Sequence, residues 1–115
     1  MSQHRKHRGY ASQRIVAEYL AANGFPFAEP TGAGRPGTDV TGTPGIDWEV
    51  KARRAVNLIG TMRKQSERIY EGTVPIAVIR PDGFGPASIS MWPAVMPLSV
   101  AVQLLREAGY GDPLE

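Results

Sequence analysis

The sequence predicts a single mixed α/β domain, one mixed β-sheet flanked by helices in the order α-β-β-β-α-β-β-α. Three observations predict it. Segments at both ends carry apolar residues at helical spacing. Residues 46–53 alternate strictly, with Ile46, Trp48 and Val50 on one face and Asp47, Glu49 and Lys51 on the other. Pro75-Ile76-Ala77-Val78-Ile79 is an almost unbroken apolar run, as in a central strand covered on both sides. A chain of 115 residues, 42% hydrophobic, supports one core and not two. A basic tail at 1–9, expected to be mobile, precedes one domain at 10–115.

The elements follow in order. Residues 11–23 read as a helix, with Ile15, Val16, Tyr19 and Leu20 on one side, Ser12 as N-cap and Asn23-Gly24 as stop. Phe25–Ala28 is a short edge strand, because Pro26 cannot donate to a ladder. Thr31–Gly37 is a Gly- and Pro-rich loop. Thr38–Thr41 and Ile46–Arg53 form a hairpin around the Thr43-Pro44-Gly45 turn. Residues 58–71 form a helix with Leu58, Ile59, Met62, Ile69 and Tyr70 facing inward. After the strand at 75–79 come a turn at Pro81-Asp82-Gly83, a strand at Ala87–Trp92 and a closing amphipathic helix at Leu98–Ala108, stopped by Gly109.

Composition restricts function. There are no cysteines, which excludes disulfides, zinc-thiolate sites and thiol nucleophiles. No apolar run reaches the length of a membrane span, and the basic N-terminus lacks the apolar stretch of a secretory signal. A cytoplasmic location is expected. The net charge is only +2, but the positive charge is concentrated. Arg5, Lys6, Arg8 and Arg14 stand in an N-terminal stretch without acids, and Lys51, Arg53, Arg54, Arg63, Lys64 and Arg68 in a second cluster. Two basic segments in a near-neutral chain suggest an anionic partner. His4 and His7, in the tail, are assigned no role.

The segment that carries chemistry is Gly37-Thr38-Asp39 followed by Glu49-Val50-Lys51. Alternation puts Glu49 and Lys51 on one face, about 7 Å apart along the strand. Asp39 reaches the same place across the hairpin. Two carboxylates there can hold a hard cation such as Mg²⁺, with waters completing the shell. The cation polarises a phosphate and acidifies a bound water. Lys51 adds a compact positive charge where negative charge develops. An acid-x-lysine triplet by itself is a common solvated strand face. The buried opposite face, the upstream Asp39 and the basic helix that follows favour a site. Asp47 shares the face of Glu49 and reads rather as a surface carboxylate at the strand's start.

These residues resemble the PD-(D/E)xK nuclease superfamily, and within it the small Holliday junction resolvases of the archaeal type and their phage relatives. The likeness spans roughly residues 5–80. It rests on Arg5-Lys6-His7-Arg8-Gly9, the helix ending in Asn23-Gly24-Phe25, the loop into Asp39, Glu49-Val50-Lys51 and Pro75-Ile76-Ala77-Val78. The resemblance implies a restriction-endonuclease-like core and Mg²⁺-dependent endodeoxyribonuclease activity, with Mn²⁺ as a substitute. It also implies a homodimer acting on four-way DNA junctions in a bacterial or phage-infected cytoplasm. Asp39, Glu49 and the Val50 backbone carbonyl are then the expected metal ligands, and Asp39, Glu49 and Lys51 the catalytic set. Arg5, Lys6, Arg8, Arg14, Arg35, Arg53 and Arg54 are the expected DNA contacts.

The chain departs from the pattern in two places. Thr38 stands where a proline precedes the aspartate, and Gln13 stands beside Arg14 where the resolvases carry a glutamate. Gln13 is nevertheless a candidate site residue. Glu18, about 140° round the helix from it, faces solvent. Gln65 falls where an apolar residue is expected and so needs partners. A backbone hydrogen bond and a contact to metal-bound water are both open to it. Met91, Trp92, Val95 and Met96 form a candidate dimer face. Other nicking, restriction or repair nucleases of the superfamily, and an inactive DNA-binding module of the same fold, are the alternatives.

Overall fold

A computed structural model describes residues 3–32, 36–52 and 56–113, with the backbone alone for residues 3–8. Helix α1 (Gln3–Ala22) leads into two short antiparallel strands, β1 (Glu29–Pro30) and β2 (Val40–Thr41). Strand β3 (Ile46–Lys51), helix α2 (Leu58–Arg68) and strand β4 (Val74–Ile79) make a parallel crossover unit. After a 3-10 turn at Pro86–Met91, strand β5 (Ala94–Val95) pairs antiparallel on the other side of β4, and helix α3 (Leu98–Glu107) follows. The fold is mixed α/β, and β4 is the central strand of the order β3-β4-β5.

Helix α1 packs across β1, β2 and β3, and α2 packs on β3 and β4. The core lies on the α1 side. Val16, Ala17 and Leu20 meet Val40, Trp48, Val50, Val78 and Trp92 there. Its polar tips are paired: the Trp48 indole donates to Thr43 Oγ1 at 2.9 Å. Arg80 ties the layers together. It donates to Ser12 Oγ at 3.1 Å and to the Phe84 carbonyl at 2.8 Å, and its guanidinium lies 5.3 Å over the Trp92 ring.

Several expectations are corrected. Helix α1 starts at Gln3 and not at Ala11, so the stretch expected to be a mobile tail carries its first turns. No proline interrupts residues 3–10, and Ser12, expected as N-cap, is a buried residue inside the helix. Phe25–Ala28 is a turn closed by Ala28 N–H on the Phe25 carbonyl at 3.0 Å, with Phe27 79% exposed, and the strand starts only at Glu29.

The single sheet is split in two, because β2 and β3 do not pair as a backbone hairpin. One backbone bond, from Asp39 N–H to the Trp48 carbonyl at 2.8 Å, joins them. Beyond it, side chains of Thr38 and Asp39 occupy the free edge of β3. Gly42 turns the chain at φ +84°, and a Cβ there would sit 1.9 Å from the Phe27 carbonyl oxygen. Only glycine fits that position.

The expected strand at Ala87–Trp92 is the 3-10 turn, entered through Pro86, with Trp92 turned into the core. Helix α3 has the expected bounds but closes nothing. None of its residues is buried, and Leu98, Val102 and Leu105 are 79%, 49% and 52% exposed. Among the described residues no helix is long and apolar enough to cross a membrane.

Candidate functional site

Strand β3 is enclosed on both faces. Trp48 and Val50 point to α1, while Asp47 and Glu49 point to α2 and are equally buried. The α2 face that meets them is polar. Its buried residues are Thr61 and Gln65, and Arg68 continues the same stripe. The inner stripe expected from Leu58, Ile59 and Tyr70 is therefore wrong: these are 37%, 61% and 85% exposed. The helix is turned so that its polar groups meet the two acids.

Asp39 is pinned at the free edge of β3. Its N–H donates to the Trp48 carbonyl, its own carbonyl accepts from Thr31 N–H at 2.9 Å, and its Oδ2 accepts from Val50 N–H at 2.8 Å. Thr38 Oγ1 accepts from Trp48 N–H at 2.8 Å. Trp48 and Val50 thus send their N–H groups away from β4, toward the 38–39 segment. Alternation along the strand directs the Val50 carbonyl to the same edge.

The Asp39 carboxyl also hydrogen-bonds Glu49. Burial raises its pKa to about 6 from 3.8. The Val50 N–H opposes the rise, the Glu49 charge and hydrogen bond add to it, and Lys51 lowers it again. Glu49 Oε2 lies 3.7 Å from Lys51 Nζ. Asp39, Glu49 and Lys51, distant in sequence or alternating on a strand, are brought together.

Two residues enter the cluster that sequence reasoning did not assign to it. Arg68 donates through Nε to Asp47 Oδ1 at 2.9 Å, through Nη2 to Asp47 Oδ2 at 2.8 Å and through Nη1 to Glu49 Oε1 at 2.8 Å. Asp47, expected as a surface carboxylate, is buried and held on two sides. Gln65, fully buried, donates to Asp47 Oδ2 at 2.9 Å and to the Asp47 and Ile76 carbonyls at 3.2 and 3.3 Å. Its amide nitrogen therefore has backbone partners, the simpler of its two readings, and its Oε1 is buried without a partner among the described residues. The signal for this stripe was the spacing of Thr61, Gln65 and Arg68 at i, i+4 and i+7.

A cleft of about 160 Å³ opens where β3 ends and α2 begins. Glu49 and Lys51 line one side, and Asn57, Gly60, Thr61 and Lys64 line the other. Asn57 caps the helix by accepting from Gly60 N–H at 2.9 Å. Asp39 does not line this cleft.

The other candidates stand apart. Gln13 lies on α1 with its Oε1 buried and, among the described residues, without a hydrogen-bond partner. Arg14 is exposed and pairs with the exposed Glu18 at 3.9 Å, a surface contact of little energetic weight. Arg35, Arg53, Arg54 and the side chains of Arg5, Lys6 and Arg8 lie outside the described residues. Among the four residues of the expected dimer face, Trp92 is buried in the core, Val95 and Met96 are half-buried, and only Met91 is exposed.

The donor set suits a hard divalent cation. Burial, and then the neighbouring Glu49, raise the Asp39 pKa to about 6, and a cation could take the place of the Asp39 proton. With the Val50 carbonyl the two carboxylates offer three oxygens, the type and number that leave room for water around Mg²⁺. Among the described residues no group of three or more His, Cys, Asp or Glu side chains gathers as a metal cluster. No family model, curated protein or solved structure matches this chain.

Proposed function

We propose that the protein is a metal-dependent DNA endonuclease of the PD-(D/E)xK type, with a restriction-endonuclease-like core and a four-way DNA junction as its preferred substrate. The observation that carries this reading is the convergence of Asp39, Glu49 and Lys51 beside a cleft whose far wall is the start of α2. Asp39, Glu49 and the Val50 carbonyl would hold Mg²⁺ or Mn²⁺. The bound cation supplies charge neutralisation at the phosphate and a water of lowered pKa.

The chain's own residues do the rest. Lys51 directs its ammonium into the cleft, where it binds the phosphate and stabilises the charge that builds on its oxygens. Lys64 on the opposite wall adds a second positive contact. Asp39, fixed by three hydrogen bonds, gives up its proton when the site is loaded and keeps its place. Gln13 and Gln65 are not needed for these steps. Arg14, Arg35, Arg53, Arg54 and the basic start of α1 supply phosphate contacts along the DNA. A homodimer would present two such sites to the two-fold symmetric junction, and the exposed α3 face of Leu98, Val102 and Leu105 supports pairing there.

The test is cleavage of a labelled four-way junction with Mg²⁺ under excess linear duplex. Wild type should place paired nicks symmetrically across the crossover. Asp39→Asn and Glu49→Ala should abolish cutting and retain gel-shift affinity. Equal cutting of linear duplex would leave a nuclease of another specificity. DNA binding without metal-dependent cutting would leave a non-catalytic DNA-binding module, a reading that the Arg68 contact on Glu49 favours.

A further inference from the structure

We propose that Arg68 is a positioning residue, which fixes Glu49 through a fork anchored on Asp47 and so presents Glu49 Oε2 to a divalent cation. The inference rests on Asp39 and Glu49 being a cation site. The geometry is a chain of constraints. Asp47 takes two donors of the guanidinium, Nε and Nη2, which sets the plane of the group. That plane aims Nη1 at Glu49 Oε1. Gln65 holds Asp47 from the other side, at Oδ2 and at the backbone carbonyl. One oxygen of Glu49 is thereby committed to Arg68, and the other lies 3.7 Å from Lys51 Nζ, on the side of Asp39 and the cleft.

Only arginine can do this. Its donors are planar and fixed, so one side chain spans two carboxylates in a set orientation, whereas a lysine ammonium is a point charge. Arg68 also stands in the last turn of α2, where the helix end favours a cation. Outer-shell partners of this kind orient metal-binding groups, and their loss weakens metal affinity roughly 10- to 100-fold.

Charge alone predicts the opposite sign. Removing a positive group next to a cation site should tighten binding of a cation. Weaker binding on loss of Arg68 therefore reports position.

The experiment is calorimetric titration of the full chain with Mn²⁺ alone, with urea stability measured in parallel. Wild type, Arg68→Gln, Arg68→Lys, Asp47→Asn and the double variant Asp47→Asn/Arg68→Gln are compared, with Asp39→Asn and Glu49→Gln as site controls. Arg68→Gln should weaken Mn²⁺ binding by about tenfold or more. Arg68→Lys should fail to restore it. Asp47→Asn should weaken it in the same direction, and the double variant should be no weaker than Arg68→Gln, since both act through one fork. Should Arg68→Gln not fold, Arg68→Lys still decides, because it keeps the charge and loses the fork.

Wild-type or tighter affinity in the Arg68 variants would overturn the inference while leaving the cation site intact. So would a change in stability without a change in affinity. Unchanged Mn²⁺ uptake in Asp39→Asn and Glu49→Gln would remove the cation site itself, and the inference with it.

Discussion

Replacing Asp39 by asparagine should make the metal-free protein more stable at pH 8 and leave it almost unchanged at pH 4. In the folded chain the Asp39 pKa is about 6 against 3.8 for the free group, chiefly through burial and then through Glu49. A carboxyl with a raised folded pKa binds its proton more tightly when folded. Its contribution to stability is present in full below pH 3.8 and is lost as pH rises through 6. Taken at face value the rise amounts to about 3 kcal/mol. Asp39 is only half-buried and the Val50 N–H bond belongs to both proteins, so about 1–2 kcal/mol is the expected size. Asparagine keeps the acceptor for Val50 N–H and offers an N–H to Glu49 in place of the shared proton, so it imitates protonated Asp39 at every pH. The assay is urea denaturation of both proteins in EDTA at pH 4 and pH 8. At pH 8 the variant should gain about 1–2 kcal/mol, or roughly 4–8 °C in Tm. A gain that does not change between the two pH values, or a variant less stable at pH 8, would refute the reasoning.

Three further outcomes are expected. Lys51→Ala should lower junction cleavage about 100-fold, as for loss of one group that stabilises transition-state charge, while calorimetry still detects Mn²⁺ binding. DNA affinity by gel shift should fall linearly with the logarithm of salt concentration, and deletion of residues 1–8 should flatten that slope without moving the cut sites. Leu105→Glu on the exposed face of α3 should shift sedimentation from dimer to monomer without lowering urea stability by more than about 0.5 kcal/mol.

The elements most legible in the sequence were those whose pattern has a single solution. The unbroken run around Ile76 and Val78 became the central strand, and alternation from Ile46 to Lys51 assigned both faces of β3 correctly. The stop at Gly109 placed the end of α3 within one residue. Apolar spacing misled where burial was not apolar. Leu58, Ile59 and Tyr70 look like the core face of α2, yet the helix buries Thr61 and Gln65, because two acids on β3 need hydrogen-bonding partners. Pattern also could not reveal that Thr38 and Asp39 would satisfy the edge of β3 with side chains, since that bond type leaves no periodicity. That Asp39, Glu49 and Lys51 would lie together was legible from type and spacing. Arg68 was harder to read, because only its spacing from Thr61 and Gln65 sets it apart from Arg63 and Lys64. Only its reach to Asp47, across the α2–β3 interface, gives it a role.

The two faces of β3 therefore do different work. On the α1 side, Trp48 and Val50 join an apolar core that stabilises the fold. On the α2 side, the chain encloses Asp47 and Glu49, with Asp39 at the edge, against two cations, Arg68 and Lys51. Enclosed ion pairs rarely stabilise a fold more than apolar groups of similar volume would, so packing alone does not account for this face. Among the described residues of this cluster, three acids against two bases leave one negative charge in excess. Asp39 removes it by holding a proton at mildly acidic pH. A site balanced in this way stays folded when empty, because Arg68 and Lys51 already offset two of the acids.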